Sequence, residues 1–248
     1  MQEPDPESDF WLAKRSSLHR GSGDRYYEDK AAEHLAFMDA SDRQAAAIDL
    51  ACGAGELLQK LSPKVNVMAG LDTSPSMLTE AARRLGDQGI CLVNEPAIEY
   101  LSHNTFAVWM TTGGLNQYLD PVDQRRLLDL LASTPTTRSY YMFDCVDPIR
   151  YQMMPLGIGY LSPTQTQTSM IAALRARLLR TRAAFQLLVG DSTRPAVLLR
   201  RPGMGWGYLP RFWAAEAAKR GLTIRFASSL QYEYRYHVAI GKAPAADA

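Results

Sequence analysis

An acid and three small residues follow one another at regular spacing early in the chain. Asp49, Ala51, Gly53 and Gly55 stand at the end of a short apolar run that predicts a buried strand. Glycine lets the backbone approach a ligand closely, and the free N–H groups of a following helix attract polar or anionic groups. The third glycine of the dinucleotide fingerprint is missing. A tight strand–helix turn without a ligand also fits this segment.

A second acid, Asp72, stands about twenty residues beyond these glycines, at the end of the next predicted strand. A carboxylate there can bind two ribose hydroxyls, and Thr73 lies beside it. Ser74-Pro75 then predicts the start of a helix, because serine is a good N-cap and proline is favoured at the first helical position. Asp72 therefore gives the glycine turn a ribose-binding partner.

These segments resemble the cofactor-binding half of class I S-adenosylmethionine-dependent methyltransferases, with Ala51 in place of the usual first glycine. The resemblance implies that S-adenosylmethionine is the cofactor and S-adenosylhomocysteine the product. It implies further that Asp49 holds the methionyl amino group and that Asp72 holds the ribose. By the same resemblance the small residues line the methionine part and Met77 packs near the adenine, although helix core is the other interpretation of Met77. The residues that would line the methionine are Ala51, Gly53 and Gly55.

Two later segments depart from the family pattern. Where the family often has Asp-Ala after the third strand, this chain has Glu95-Pro96-Ala97, so we expect adenine contacts from Glu95 or from the backbone N–H of Ala97. Thr111 ends the fourth strand and is a further candidate cofactor contact. Asn116-Gln117 replaces a common histidine pair, which excludes a histidine base there but leaves amides that can hydrogen-bond the cofactor or a substrate.

Methyl transfer is a displacement at a sulfonium carbon, so the protein must mainly position donor and acceptor. A hydroxyl acceptor usually needs a base as well, whereas an amine only has to be deprotonated. Asp144 and Asp147, after the fifth strand, and His19, near the N-terminus, are the candidate bases.

The N-terminal segment commonly folds over the cofactor in this family, which makes Tyr26 a candidate cover for the methionine end. The same segment carries Arg15, Arg20 and Arg25. These arginines suggest a phosphorylated or acidic sugar acceptor, although a solvated basic surface explains them equally well.

The elements that must position these residues alternate between strand and helix. The fold class expected is α/β, a Rossmann-like doubly wound sheet of seven mostly parallel strands. The resemblance adds an antiparallel last strand. The predicted strands are 45–52, 65–71, 90–93, 106–111, 139–143, 222–227 and 232–241, and the predicted helices are 55–61, 74–85, 121–132 and 209–220.

We expect one methyltransferase domain. Its parts are an N-terminal helical lid (1–43), a cofactor-binding half (44–146), an insertion that selects the acceptor (147–208), a closing helix and strands (209–242) and a tail (243–248). Inside the insertion the pattern predicts a helix over 169–184, a hairpin over 185–201 and a mobile aromatic loop over 203–208; one longer helix is the alternative to the hairpin.

The composition sets limits on partners and location. The net charge is +1, which argues against a nucleic-acid partner, since such proteins usually show a strong basic excess. The three cysteines form no Cys-x-x-Cys pair, so we expect reduced, packed thiols and no metal site. No apolar run approaches the roughly 20 residues of a membrane span. We expect a soluble cytoplasmic protein, and a homodimer is compatible with the sequence.

The function expected is O-methylation of a small molecule or of a sugar or glycan intermediate. The alternatives are an N-methyltransferase, an RNA or protein methyltransferase, and a non-catalytic binding module. A nucleotide-binding dehydrogenase conflicts with the missing third glycine.

Overall fold

The computed structural model describes residues 23–153, 196–197 and 205–243. Its strands are β1 (Ala47–Leu50), β2 (Val67–Leu71), β3 (Cys91–Val93), β4 (Val108–Thr112), β5 (Ser139–Val146), β6 (Ala196–Val197), β7 (Trp206–Gly207), β8 (Leu222–Ser228) and β9 (Arg235–Lys242). Seven of these form one sheet in the order β3-β2-β1-β4-β5-β9-β8, and β6 pairs with β7 in a separate sheet.

The direction of the strands in the large sheet confirms the predicted fold. Strands β1 to β5 pair in parallel, and β9 is antiparallel to both β5 and β8. Because β1, β2 and β4 are parallel neighbours, their carboxyl ends lie at one edge of the sheet. In an open α/β sheet, ligands bind at this edge, where the strand order reverses. Here the reversal lies between β1 and β4.

The described helices are α1 (Gly23–Phe37), α2 (Ala40–Arg43), α3 (Glu56–Leu61), α4 (Pro75–Leu85), α5 (Ala97–His103), α6 (Gly114–Tyr118), α7 (Pro121–Ser133), α8 (Pro148–Met153) and α9 (Pro210–Ala218). Two apolar clusters show that helices cover both faces of the sheet. One cluster joins α5, α7 and α9 to the face of Trp109 and Tyr140, and the other joins α1, α3 and α4 to the face of Val108 and Tyr141. Neighbouring residues of β4 and β5 thus point to opposite faces, as a pleated strand requires.

Local signals placed several helices correctly. Ser74 caps α4, since its hydroxyl accepts a hydrogen bond from the Met77 N–H, and Pro75 occupies the first turn. The helix ends before Gly86, which has a positive φ. Asp120 caps α7 in the same way by accepting from two backbone N–H groups.

Other elements differ from the prediction. Helices α5, α6 and α8 were not predicted, because each has seven residues or fewer and too few turns to show a period. Strand β5 runs three residues further, to Val146, because β9 supplies a partner along most of its length. Residues 232–234 form a turn before β9 and not its first residues.

The insertion lies mostly outside the described residues. The predicted helix over 169–184 and the first arm of the predicted hairpin fall there, as do residues 1–22 and the tail from 244. The second arm is described only at Ala196–Val197, which pairs with Trp206–Gly207. The segment 203–208 therefore includes a short strand, where a loop was predicted.

Two global expectations concern cysteines and membranes. Cys145 is buried and Cys52 is partly buried, but Cys91 on β3 is exposed, so the expectation of packed thiols was wrong for Cys91. In the part of the chain that the structure describes, no helix has the length and apolarity needed to cross a bilayer.

Helix α1 is held to the sheet by polar contacts as well as by apolar packing. The Lys30 ammonium forms an ion pair with the Asp144 carboxylate, and both side chains are almost fully buried. Glu33 is hydrogen-bonded to His237 Nε2 at 2.9 Å, and His34 stacks on Phe143. Asp144 lies in a bulge of β5 and has a positive φ of 57°.

We predict that Lys30→Met lowers the free energy of unfolding by about 3–5 kcal/mol, because it leaves the buried Asp144 charge without its partner. Denaturant unfolding monitored by circular dichroism measures the change. The double variant Lys30→Met/Asp144→Asn removes both charges, and asparagine tolerates positive φ, so it should recover most of the loss. Equal loss in both variants would contradict a role for the charge pair.

Candidate functional site

The loop between β1 and α3 has an unusual backbone. Ala51, Gly53 and Gly55 all have positive φ, at 67°, 57° and 75°. Positive φ is ordinary for glycine but costs a residue with a Cβ about 1–2 kcal/mol. Ala51 therefore stores strain at the position where the sequence pattern has a glycine in related proteins.

The two glycines serve different purposes. A Cβ at Gly53 would meet nothing within 4 Å, so this residue borders open space at the carboxyl edge of the sheet. A Cβ at Gly55 would lie 3.2 Å from the Ala81 Cβ, so this glycine allows α3 to pack closely on α4. Gly53 borders open space, and its role in lining a ligand stays a prediction. The structure gives Gly55 a packing role within the protein.

Asp72 connects the glycine turn to the segment after β2. One carboxylate oxygen accepts the Gly53 N–H at 2.9 Å, and the other accepts the Ser74 N–H at 2.8 Å. Burial raises the pKa of Asp72, although these backbone hydrogen bonds oppose the shift. Each oxygen keeps acceptor capacity for a further hydrogen bond, which is what binding a ribose diol requires.

Asp49 is a buried acid without a partner. It lies in β1 beside Gly70 of β2 and Met110 of β4, and its side chain makes no hydrogen bond or ion pair with any described residue. Burial, with a smaller contribution from the charge of Asp72, raises the pKa of Asp49 to about 8. A buried carboxyl group of this kind is stabilised when a cation arrives beside it. The site therefore suits a ligand with a positive charge.

The predicted adenine region is partly exposed. Glu95 and Pro96 are exposed, and Ala97 is buried at the first turn of α5. Thr73 is exposed, whereas Met77 is buried within α4 and 2 % accessible. The burial of Met77 therefore agrees with the interpretation that it belongs to the core of the helix.

Two predicted cofactor contacts face into the protein. Thr111 is fully buried, and its hydroxyl donates to the Leu50 carbonyl at 2.6 Å, which ties β4 to β1. Asn116 is also buried and accepts a hydrogen bond from the Tyr140 hydroxyl at 3.4 Å. Neither side chain reaches the cleft in this arrangement, because pleat and helix phase direct them inward.

The structure places the candidate bases Asp144 and Asp147 in different environments. Burial alone would raise the pKa of Asp144, but the charges of Lys30 and Arg235 outweigh it and hold this pKa well below its usual range. Asp147 caps α8 by accepting the N–H groups of Ile149 and Arg150 at 2.9 and 3.0 Å. His19 lies outside the described residues.

Tyr26 lies where α1 meets the turn before β9. Its hydroxyl is 3.0 Å from that of Tyr232, and Lys30 lies 5.8 and 5.2 Å from the centroids of the two rings. Sequence reasoning missed Lys30, Tyr232 and Arg235, which together with Asp144 form a charged and aromatic cluster. The only local signal is the spacing of Tyr26 and Lys30 on one face of α1, because the other partners are distant in sequence.

Comparisons with known proteins agree with this geometry. Residues 47–134 match the family model described as a methyltransferase domain, which is about a third of the chain. No curated protein matches the sequence.

Solved structures match over nearly the full chain at low identity. A complex of DhpI with S-adenosylhomocysteine has a TM-score of 0.60 at 13 % identity and covers 96 % of both chains. The N-methyltransferase NodS from Bradyrhizobium japonicum WM9 has a TM-score of 0.57 at 12 % identity, with 97 % of this chain and 100 % of NodS covered. Magnesium protoporphyrin IX methyltransferase from Synechocystis PCC 6803 has a TM-score of 0.56 at 12 % identity, with 96 % and 100 % covered.

We predict that Ala51→Gly raises the free energy of unfolding by about 0.5–1 kcal/mol. Relief of about 1–2 kcal/mol of strain exceeds the cost of about 0.4–1 kcal/mol for the more flexible unfolded chain. Ala54→Gly is the matched control: Ala54 is buried without positive φ, so this change should lower stability. Chemical denaturation compares the two variants, and a loss of stability in Ala51→Gly would refute the strain.

Proposed function

We propose that this chain transfers a methyl group from S-adenosylmethionine to an oxygen of a small molecule or of a sugar or glycan intermediate. Residues 47–134 match a methyltransferase-domain model, and the sheet has the strand order of the class I fold. The sulfonium of the bound cofactor supplies the electrophilic methyl group and the driving force. The protein then has to bind and orient the two reactants.

The unpartnered carboxyl group of Asp49 carries this proposal. A methionyl ammonium placed over the glycine turn would donate a charge-assisted hydrogen bond to the Asp49 carboxylate and remove the cost of its burial. The chemistry of the donor set thus fits a ligand that is cationic at one end.

Asp72 and Gly53 would hold the ribose side of the same ligand. The hydrogen bond between them fixes the Asp72 carboxylate at the edge of the open space beside Gly53. A diol can donate to the remaining lone pairs of that carboxylate without displacing either backbone N–H group. Glu95 and the Ala97 N–H stay proposals for the adenine.

Proton removal from the acceptor places a limit on the reaction. Asp144 is a weak base, because Lys30 stabilises its charged form. Among the described histidines, His34 is buried on the inner face of α1, His237 is buried in β9, and His103 ends α5, which runs back from the carboxyl edge. Asp147 and His19 remain the proposed bases. This arrangement favours acceptors that need no strong base, namely an oxygen that is already ionised or, as a second candidate, a neutral amine.

Calorimetric titration with S-adenosylmethionine and S-adenosylhomocysteine tests the proposal. Both should bind, and Asp72→Ala should weaken binding by about 1.5–3 kcal/mol, since it removes an acceptor of charge-assisted hydrogen bonds. Asp87→Ala removes an exposed acid after α4 and should leave the affinity unchanged. Absence of binding to the wild-type protein at millimolar ligand would overturn the proposed function.

A pH dependence follows from Asp49. The pKa of Asp49 is about 8 in the free protein and should fall when an ammonium binds beside it. Binding below about pH 8 therefore releases a proton from Asp49. As a consequence, the affinity for the ligand rises with pH up to about 8. Calorimetry in two buffers of different ionisation enthalpy measures the released proton. Asp49→Asn should bind more weakly without this release. Equal proton release in the variant would exclude Asp49 as its source.

The same substitution should stabilise the unliganded protein. A carboxyl group whose pKa is raised on folding holds a proton that the unfolded chain has lost, so the wild-type protein loses stability as the pH rises from about 4 to 8. Asp49→Asn removes this loss, and at pH 8 its free energy of unfolding should exceed that of the wild type by at least about 1.4 kcal/mol, the equivalent of one pKa unit. Urea unfolding at pH 5 and pH 8 measures the difference, and a variant less stable than the wild type at pH 8 would contradict it.

A further inference from the structure

Arg235 is the first residue of β9 and extends its guanidinium toward the carboxyl edge of the sheet. Its Nη1 lies 3.4 Å from the position that a Cβ would take at Gly113, the residue after β4. On the other side of this turn, a Cβ at Gly114 would lie 3.8 Å from the Ala51 Cβ. The Gly113-Gly114 segment therefore separates Arg235 from the glycine turn by the thickness of one backbone strand.

The positive charge of Arg235 has no ion-pair partner in the described part of the chain. The nearby carboxylate of Asp144 is bonded to Lys30, and that of Glu33 is bonded to His237 and to the Leu230 N–H. Among the described residues Arg235 Nε is buried without a hydrogen-bond partner, Nη1 makes a long contact of 3.5 Å with the Asp144 carbonyl, and the side chain also forms a hydrogen bond with Tyr234. Arg235 as a whole is partly buried, but a buried N–H donor is normally hydrogen-bonded, so the unpaired Nε–H gives this guanidinium unused donor capacity for an anion.

Two tyrosines hold the guanidinium from one side. The Arg235 Cζ lies 5.1 Å from the Tyr232 ring centroid and 5.4 Å from that of Tyr234. The two centroids are only 5.7 Å apart, so both rings lie on the same side of the guanidinium. Cation–π contact of this kind, together with the hydrogen bond to Tyr234, fixes the group, and among the described residues the Nε–H still has no partner.

We propose that Arg235 binds an oxyanion of the acceptor, a carboxylate or phosphoryl group, and thereby selects acidic acceptors. This inference rests on the proposed methyl transfer and identifies the class of acceptor. A guanidinium presents paired donors that match both oxyanions. It stays charged because Asp144, Tyr234 and Tyr232 together outweigh the effect of burial on its pKa.

The position of Arg235 distinguishes the acceptor from the cofactor. Asp49, Gly53 and Asp72 lie at the ends of β1 and β2, whereas Arg235 lies beyond β4, against β5. The carboxyl ends of β4 and β5 thus separate the guanidinium from the acids of the proposed donor site. An oxyanion on Arg235 would hold the acceptor on the far side of the Gly113-Gly114 turn. The basic N-terminal segment that first suggested an acidic acceptor is not needed for this argument.

The test uses the full chain saturated with S-adenosylhomocysteine and three probes: inorganic phosphate, propionate and the neutral isostere propionamide. Calorimetry at constant ionic strength should show that wild-type protein binds phosphate and propionate but not propionamide. Arg235→Gln should lower the affinity for both anions at least tenfold. Arg126→Gln is the matched control, because Arg126 is an exposed arginine on α7 and its loss should change neither affinity.

Thermal unfolding provides a second measurement. Phosphate should raise the melting temperature of the wild type and of Arg126→Gln by a few degrees, but not that of Arg235→Gln. Without anions, the melting temperatures of the wild type and of Arg235→Gln give the baseline for this comparison. If the glutamine variant does not fold, Arg235→Lys replaces it in the test, because lysine keeps the charge without the paired donors. The affinity of Arg235→Lys for propionate should be at least fivefold lower than that of the wild type.

Three results would overturn the inference: no anion binding by the wild type, equal anion affinity in Arg235→Gln, or propionate binding to Arg235→Lys as tight as to the wild type. The source of the oxyanion is tested with 5′-methylthioadenosine, which lacks the amino-acid part of the cofactor. Loss of S-adenosylhomocysteine affinity in Arg235→Gln, with unchanged methylthioadenosine affinity, would assign Arg235 to the cofactor carboxylate and exclude the acceptor. A wild-type protein that binds phosphate through Arg235 but no S-adenosylhomocysteine would refute the proposed function and leave the anion site in place.

Discussion

The arrangement of the site depends on the burial of negative charge at the ends of β1 and β2. Asp49 and Asp72 raise each other's cost of ionisation, and the described residues place no cation against Asp49. The protein tolerates this cost because the Asp72 carboxylate is held by two backbone N–H groups, one of which belongs to the glycine turn. The strained φ of Ala51 belongs to the same turn. Backbone strain and buried acids of this kind persist where the surrounding structure holds them in place. They occur mainly at sites that are used for binding.

The opposite side of the cleft is organised by a second buried charge group. Lys30 neutralises Asp144 in the β5 bulge, and this pair joins α1 to the sheet. The Asp144 N–H donates to His237 Nδ1, which leaves Nε2 of the same ring to donate to Glu33. Helix α1 and the bulge therefore stabilise each other through contacts more than a hundred residues apart in sequence. A carboxylate engaged in this way positions its neighbours and is poorly suited to remove protons.

The sequence predicted the features that depend on local physics. The Ser74-Pro75 cap, the positive-φ glycines and the interval from Gly53 to Asp72 all follow from rules that act within a few residues or one βαβ unit. The roles of Thr111, Asn116 and Asp144 could not be predicted in the same way. The direction of each side chain is set by strand pleat, helix phase or a bulge, and these depend on the pairing of β5 with β9. Arg235 was not predicted either, because its role depends on nearby carboxylates that are already bonded to residues distant in sequence.

The two sides of the cleft carry complementary imbalances of charge. Carboxyl groups without a cation lie at the ends of β1 and β2, whereas the Arg235 guanidinium lies beyond β4 near the Asp144 carboxylate, which is already bonded to Lys30. These groups do not neutralise one another, because the ends of β4 and β5 and the Gly113-Gly114 turn lie between them. If the chain were selected for stability alone, a neutral residue in place of either charge would cost less. The two proposals account for both groups: the cofactor would place its ammonium beside Asp49, and the acceptor would place its oxyanion beside Arg235.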